Sequence, residues 1–219
     1  MTIPDAAGWA KLYAGVQEIS ELFPDGVVFI GGIAVLLHVR VGRLPARFAE
    51  LSHDGDFLIS LAAFADLRDI EEVTANRRLE QHQIVKAGFE YDVYLEGHNR
   101  LRVRFADAVR ESAVVDGVRI ACLEHLLLLK LDAFASRRGS AKGSKDERDL
   151  LKICLLLGPE PVAERLAGAF TPADSALLER CRNSPEILDL CAGNAHEARP
   201  LRAAVGAAID ALARRVQDA

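Results

Sequence analysis

Residues 9 to 22 (WAKLYAGVQEISEL) place apolar side chains at helical spacing, and Phe23-Pro24-Asp25-Gly26 stops them with turn chemistry. A β-branched and aromatic run, Val27 to Ile30, follows. Gly31-Gly32 ends it before IAVLLHV resumes, which predicts strand, tight glycine turn, helix. VGRLPARFAEL, with Gly42 and Pro45, reads as a loop into a second strand from Asp54 to Ser60. An amphipathic helix is expected over 62–79. QIVKAGFEYDVYLEG then predicts a hairpin around Lys86-Ala87-Gly88, with Asp92 in mid-strand, and SAVVDGVRIAC predicts another around Asp116-Gly117. LEHLLLLKLDAFASRR reads as a buried helix, RGSAKGSK as a flexible basic loop, and Asp146 onward as a helix with an acidic first turn. From Gly158 onward, proline, glycine and asparagine punctuation separates about four further helical segments. The pattern is α+β in front and all-helical behind.

With 219 residues, half of them hydrophobic, the chain can bury a core without disulfide staples. Its four cysteines (Cys122, Cys154, Cys181, Cys191) sit in apolar contexts without zinc-ligand spacing, which fits reduced thiols. Neither a signal-peptide pattern nor a bilayer-length apolar run occurs, so no membrane partner is expected and the expected location is cytoplasmic. A net charge of −5 argues against a uniformly basic nucleic-acid coat. Local basic clusters remain: Arg100, Arg102 and Arg104 in RLRVR, which alternate as on the solvated face of a strand, and Arg137, Arg138, Lys142 and Lys145.

Asp54 and Asp56, one residue apart at a strand, would share a face because side chains alternate with period 2. Two convergent carboxylates repel unless a proton or cation bridges them, so the pair suits a hard ion such as Mg2+. Phosphoryl and nucleotidyl transfer need that ion. Asp92, on a separate strand, is the natural third carboxylate, as metal ligand or general base. Gly31 and Gly32 lack Cβ atoms and would let backbone N–H groups approach phosphate oxygens, while Ser52 offers a hydroxyl.

These residues carry a resemblance. FIGGIAVLLH, then SHDGDFLIS, then EYDVYL resembles the DNA polymerase β-type nucleotidyltransferase superfamily; LLLLKLDAFASRR followed by SKDERDLLKI resembles its AbiEii/MenT-type branch. The resemblance covers roughly residues 26 to 155. It implies a nucleotidyltransferase-like mixed sheet with flanking helices over 1–155; residues 156–219 lie outside it and read from their own punctuation as an all-helical extension. It also implies metal binding by Asp54, Asp56 and Asp92, a catalytic or triphosphate-contacting Lys130, and a structural or catalytic Asp146 orienting that lysine. The implied enzyme is a Mg2+-dependent nucleotidyltransferase that moves a nucleoside monophosphate from an NTP to an acceptor hydroxyl. The acceptor stays open between tRNA, protein and a small molecule, and a toxin neutralised by an antitoxin fits the same resemblance.

Three departures stand out, one being that the stretch from Gly32 to Asp54 is several residues longer than the family's. Gly55 occupies the position between the aspartates where the family usually has an apolar residue, and it is expected to weaken the strand and leave that face unpacked. The arginine often found ahead of the serine is absent, which leaves Arg43 or Arg47 to replace it. Gly55 and the altered loop motivate an alternative: a catalytically weak nucleotide-binding or protein-interaction module of the same fold.

Overall fold

The computed structural model describes residues 6–217 except 43, 159, 160, 162 and 167, so Arg43 lies outside the described residues. By packing, the chain divides into two compact units, Met1–Val41 with Ala49–Cys122 and Gly42–Phe48 with Leu123–Ala219. The sequence boundary at residue 155 follows the extent of a resemblance, which is a different criterion.

The first unit runs α1 (Ala6–Leu22), β1 (Val27–Ile30), α2 (Gly31–Val41), β2 (Gly55–Ile59), α3 (Leu61–Ile70), β3 (Thr74–Asn76), β4 (Gln81–Lys86), β5 (Phe89–Leu95), α4 (Phe105–Arg110), β6 (Ala113–Val115) and β7 (Val118–Ile120). Its seven strands form one mixed sheet in the order β3-β4-β5-β2-β1-β7-β6. β2 lies antiparallel to β1 and parallel to β5. Both expected hairpins form. Their turns hold positive φ at both central residues, Ala87 (53°) with Gly88 (83°) and Asp116 (50°) with Gly117 (81°), the backbone that matches strand twist.

Two expectations in this unit are corrected. The helix expected to reach residue 79 stops at Ile70, where Glu71 turns extended, and Thr74–Asn76 becomes an edge strand on β4. Helical spacing of apolar residues fades there and β-branched Val73-Thr74 takes over. RLRVR is not a strand: it leads irregularly into the unanticipated α4, with Val103 buried, Arg100 paired to Glu80 and Arg104 to Asp107.

Gly55 has a packing cause. It stands opposite Tyr91 on β5, and a Cβ on it would come within 2.3 Å of the Tyr91 ring. Across the ring, a Cβ on Gly15 of α1 would come within 2.3 Å of the phenol oxygen. Tyr91 therefore fills the space that two glycines leave, is fully buried, and donates its hydroxyl to the Leu12 carbonyl at 2.8 Å. The face behind Gly55 is packed, contrary to expectation.

Burial, with Glu18 adding repulsion, pushes the Tyr91 phenol up to about 12 from 10. The fold holds it neutral, so above pH 10 only the unfolded chain gives up that proton, and the stability Tyr91 contributes is lost between pH 10 and 12. Tyr91→Phe is expected to cost about 1 kcal/mol at neutral pH through the lost hydrogen bond. Denaturant titrations at pH 8 to 11.5 should find the gap between wild type and variant narrowing as the pH rises.

The second unit is helical: α5 (Leu123–Arg137), α6 (Ala141–Leu157), α7 (Pro172–Cys181), α8 (Glu186–Leu190) and α9 (Ala195–Gln217), with single 3-10 turns at Ala46–Phe48 and Ala163–Arg165. Helix α6 begins earlier than expected and has no acidic residue in its first turn. Ser140 caps it, its hydroxyl accepting from the Gly143 amide at 3.1 Å. A Cβ on Gly143 would meet the Arg137 carbonyl at 2.4 Å, so glycine lets the end of α5 fold back on the start of α6. Most of the expected basic loop is thereby helix. At α7, Thr171 and Asp174 form a capping box with Pro172 as the first helical residue. The whole is the expected α+β fold with a mixed sheet, flanking helices and a helical C-terminal region.

Candidate active site

Strand register places the acidic residues. β2 and β5 run parallel with Asp56 opposite Asp92, so both carboxylates leave the same face of the sheet from strands about 4.8 Å apart. Both are partly exposed. Asp54 sits in the bend before β2, not on the strand, and its Oδ1 accepts a 3.1 Å hydrogen bond from the buried Ser52 hydroxyl. Ser52 thus braces Asp54.

No loop separates β1 from α2. Gly31 alone makes the turn at φ 66°, opening the helix directly after Ile30, and Gly32 is buried in its first turn. Ile30 pairs with Asp56 across β1 and β2. A Cβ on Gly31 would lie 2.1 Å from Asp56 Oδ2 and 2.8 Å from its Cγ, so the Asp56 carboxylate rests against the glycine at the start of α2. The positive end of a helix is favourable for a carboxylate there.

Oxygen-only donors suit a hard divalent cation, and the paired Asp56 and Asp92 carboxylates fit one by donor type. Among the described residues no three His, Cys, Asp or Glu side chains are gathered into a ready ligand shell.

Lys130 and Asp146 lie in the second unit, both buried. Lys130 Nζ is 3.2 Å from Asp146 Oδ1 and 2.8 Å from Asp149 Oδ2. Arg137 holds the other oxygen of Asp146 at 2.8 Å, and Lys152 Nζ donates to Asp149 Oδ1 at 3.1 Å. Burial alone would push the Asp149 carboxyl up; Lys130 and Lys152 outweigh it and hold it below the usual range. Lys130 thus ties α5 to two carboxylates on one face of α6, and Asp149 and Lys152 belong to the cluster as much as Asp146 does. The spacing of Asp146, Asp149 and Lys152, three apart on one helix, was the available signal.

Arg47 ion-pairs with Glu197 at 2.5 Å within the second unit. Arg138, in the turn after α5, and Lys142, in the first turn of α6, are exposed. The four cysteines are buried free thiols, and burial pushes Cys154 up to about 12. No helix among the described residues is long and apolar enough to cross a membrane.

No protein-family model matches the chain, and no curated protein matches it in sequence. Solved structures do. An antigenic nucleotidyltransferase-like protein from Paracoccidioides brasiliensis superposes with a TM-score of 0.55 at 16% identity, over 84% of this chain and 94% of that one. JHP933 from Helicobacter pylori (TM-score 0.46, 13% identity, 96% and 94% of the chains) and the Megavirus polyadenylate synthase (0.49, 13%, 85% and 42%) overlap more loosely. Only the first superposes closely enough to bear on architecture. The likeness, at this identity, is one of fold: the chain carries a nucleotidyltransferase-like fold.

Proposed function

We propose that the protein is a Mg2+-dependent nucleotidyltransferase that moves a nucleoside monophosphate from an NTP to an acceptor hydroxyl. The observation that carries this reading is the register of Asp56 against Asp92 on adjacent parallel strands, with the Asp56 carboxylate seated on Gly31 where β1 becomes α2. A buttressed acidic pair beside a Cβ-free strand-to-helix junction is what a metal–triphosphate site requires: oxygen ligands on one side and close backbone approach on the other.

In this reading Asp56 and Asp92 hold the cation, and Asp54, braced by Ser52, joins them from the neck of β2. When bound, Mg2+ offsets the negative charge of the triphosphate and of the in-line displacement. Asp92 is also the carboxylate best suited to receive a proton from the acceptor hydroxyl. Gly31 and Gly32 are the residues whose backbone N–H groups, at the start of α2, would receive phosphate oxygens. Membership of the AbiEii/MenT-type branch is a narrower proposal, resting on the Lys130 helix followed by the Asp146 and Asp149 helix. A tRNA, protein or small-molecule acceptor and an antitoxin partner belong to that proposal too. The alternative of a weakened module loses one of its motives, since Gly55 accommodates Tyr91.

The test is transfer itself. Purified protein is incubated with each α-phosphate-labelled NTP, Mg2+ and, separately, cellular RNA, cellular protein and an aminoglycoside, beside the Asp54→Ala/Asp56→Ala variant. Label moved by the wild type and not by the folded variant is the expected result and identifies the acceptor class. A wild type that binds Mg2+ and NTP but labels nothing would favour the binding module, and one that binds neither would sink the site.

A further inference from the structure

Side chains on β4 alternate between the two faces of the sheet. Gln83 stands opposite Asp92 on one face. His82 points the other way, toward α3, and its ring lies 4.6 Å from the ring of Phe64, tilted by 56°. Phe64 is buried and His82 only partly so. Its Nδ1 is nevertheless closed off from solvent and has no hydrogen-bond partner among the described residues. Across the strands His82 stands opposite Ala75 of β3 and Val93 of β5, so the ring meets α3 where the three outermost strands lie side by side.

A neutral imidazole can carry its proton on Nε2 and leave Nδ1 bare, the form in which a sealed Nδ1 costs least. Protonation puts an N–H on Nδ1 with no acceptor to receive it, and places a charge in a half-buried position. The charged groups nearby oppose it: Arg68, one helical turn beyond Phe64 on α3, and His98, in the turn that follows β5. The facing positions on β3 and β5, Ala75 and Val93, are uncharged. Lys86, on the same face of β4, is a further cation, and the Glu71 and Glu18 carboxylates beside it are ion-paired to it. Burial first, and then Arg68 and His98, push the His82 imidazole below its ordinary 6.5.

We infer that His82 is an acid-sensitive latch: neutral, it seals α3 against β4, and on protonation the contact opens and loosens the β3–β4 edge of the sheet. The opening itself does not depend on the nucleotidyl-transfer reading. Its place gives it a consequence for that site, because β4 is the strand next to the one that carries Asp92, so acid loosens this flank before the rest of the sheet. The fold favours the neutral ring, so the latch contributes fully well above 6.5, and its contribution is lost as the pH falls below that value. One proton taken up on opening raises the open population by up to about tenfold per pH unit.

The experiment is hydrogen–deuterium exchange of the full chain at about pH 7.5 and 5.5, corrected for the intrinsic pH dependence of exchange, on wild type, His82→Phe and His98→Gln. The His82 ring is titrated alongside, by NMR of histidine-labelled wild type. Amides of α3, β3 and β4 in the wild type are expected to exchange about tenfold faster at the lower pH, while β1 and α2 keep their protection. His82→Phe, which fills the place with an apolar ring, is expected to lose that acid response, and His98→Gln to retain it. The His82 ring is expected to titrate below 6.5. If the phenylalanine variant does not fold, His82→Gln, uncharged at every pH, takes its place. An acid response as large without His82 as with it, one lost in His98→Gln, one spread evenly over the whole sheet, or a His82 ring that titrates at 6.5 or above overturns the inference.

Discussion

Gly31→Ala is expected to reduce Mn2+ and nucleotide binding to the level of Asp56→Ala while costing only about 1–2 kcal/mol of folding stability. The modest cost is that of an L-residue at φ 66°. The large effect has a separate origin, because the new methyl would sit 2.1 Å from Asp56 Oδ2 and 3.0 Å from its Cβ. No small adjustment relieves contacts along the whole side chain, so Asp56 must swing away from Asp92. Gly97→Ala is the matched control: its φ is 70°, and its Cβ would meet nothing within 4 Å. Equilibrium denaturation should report similar losses for the two variants, and Mn2+ titration should separate them. Full binding by Gly31→Ala would mean that the Asp56 carboxylate has no part in the cation site.

Lys130→Met is expected to destabilise the protein by about 3 kcal/mol, at the low end for removing one partner of a buried ion pair. The low end applies because each aspartate keeps a second cation, Arg137 on Asp146 and Lys152 on Asp149. Arg100→Met, which breaks an exposed pair with Glu80, is expected to leave stability close to that of the wild type. The Lys130 effect should also fade in acid. The Asp149 carboxyl is held below its unfolded value of about 3.9, so its contribution is complete above that pH and is lost as the pH falls further. Chemical denaturation of wild type and both variants at pH 7 and pH 3 checks each part. A Lys130→Met loss no larger than the Arg100→Met loss would reduce the cluster to a surface-like pairing.

What the sequence made legible depended on how local its cause was. Asp116-Gly117 and Ala87-Gly88 specify their turns from two adjacent residues, and both hairpins formed. Strand, glycine and helix around Gly31 were also readable, although the turn proved to be a single residue. The edge strand Thr74–Asn76 was hidden because only its pairing with Gln81–Gln83 makes a strand of three residues, the first two of them exposed. The start of α6 was missed because a lysine- and glycine-rich stretch looks like a loop unless the Ser140 cap and the fold-back at Gly143 are known. In the site, residue type was enough to single out Asp54, Asp56 and Asp92. The opposition of Asp56 to Asp92 and of Asp92 to Gln83 came only with register, which depends on residues far apart in the chain. Gly55 misled for the same reason: its partner, Tyr91, lies 36 positions away in sequence.

The close fit of Tyr91 over Gly55 acts as a peg that sets the phase of β5. Only a glycine opposite can receive that ring, and sliding β5 by one residue along β2 would drive it against a neighbour with a side chain, Asp54 or Asp56. The same slip would bring Tyr91 or Val93 opposite Asp56 and turn Asp92 to the other face. A chain misassembled in that way could keep much of its secondary structure and still lack the Asp56–Asp92 pair. Steric selection on one side of the sheet thereby proofreads the register on the other, so the fraction of molecules with Asp56 and Asp92 opposed on one face is decided during folding.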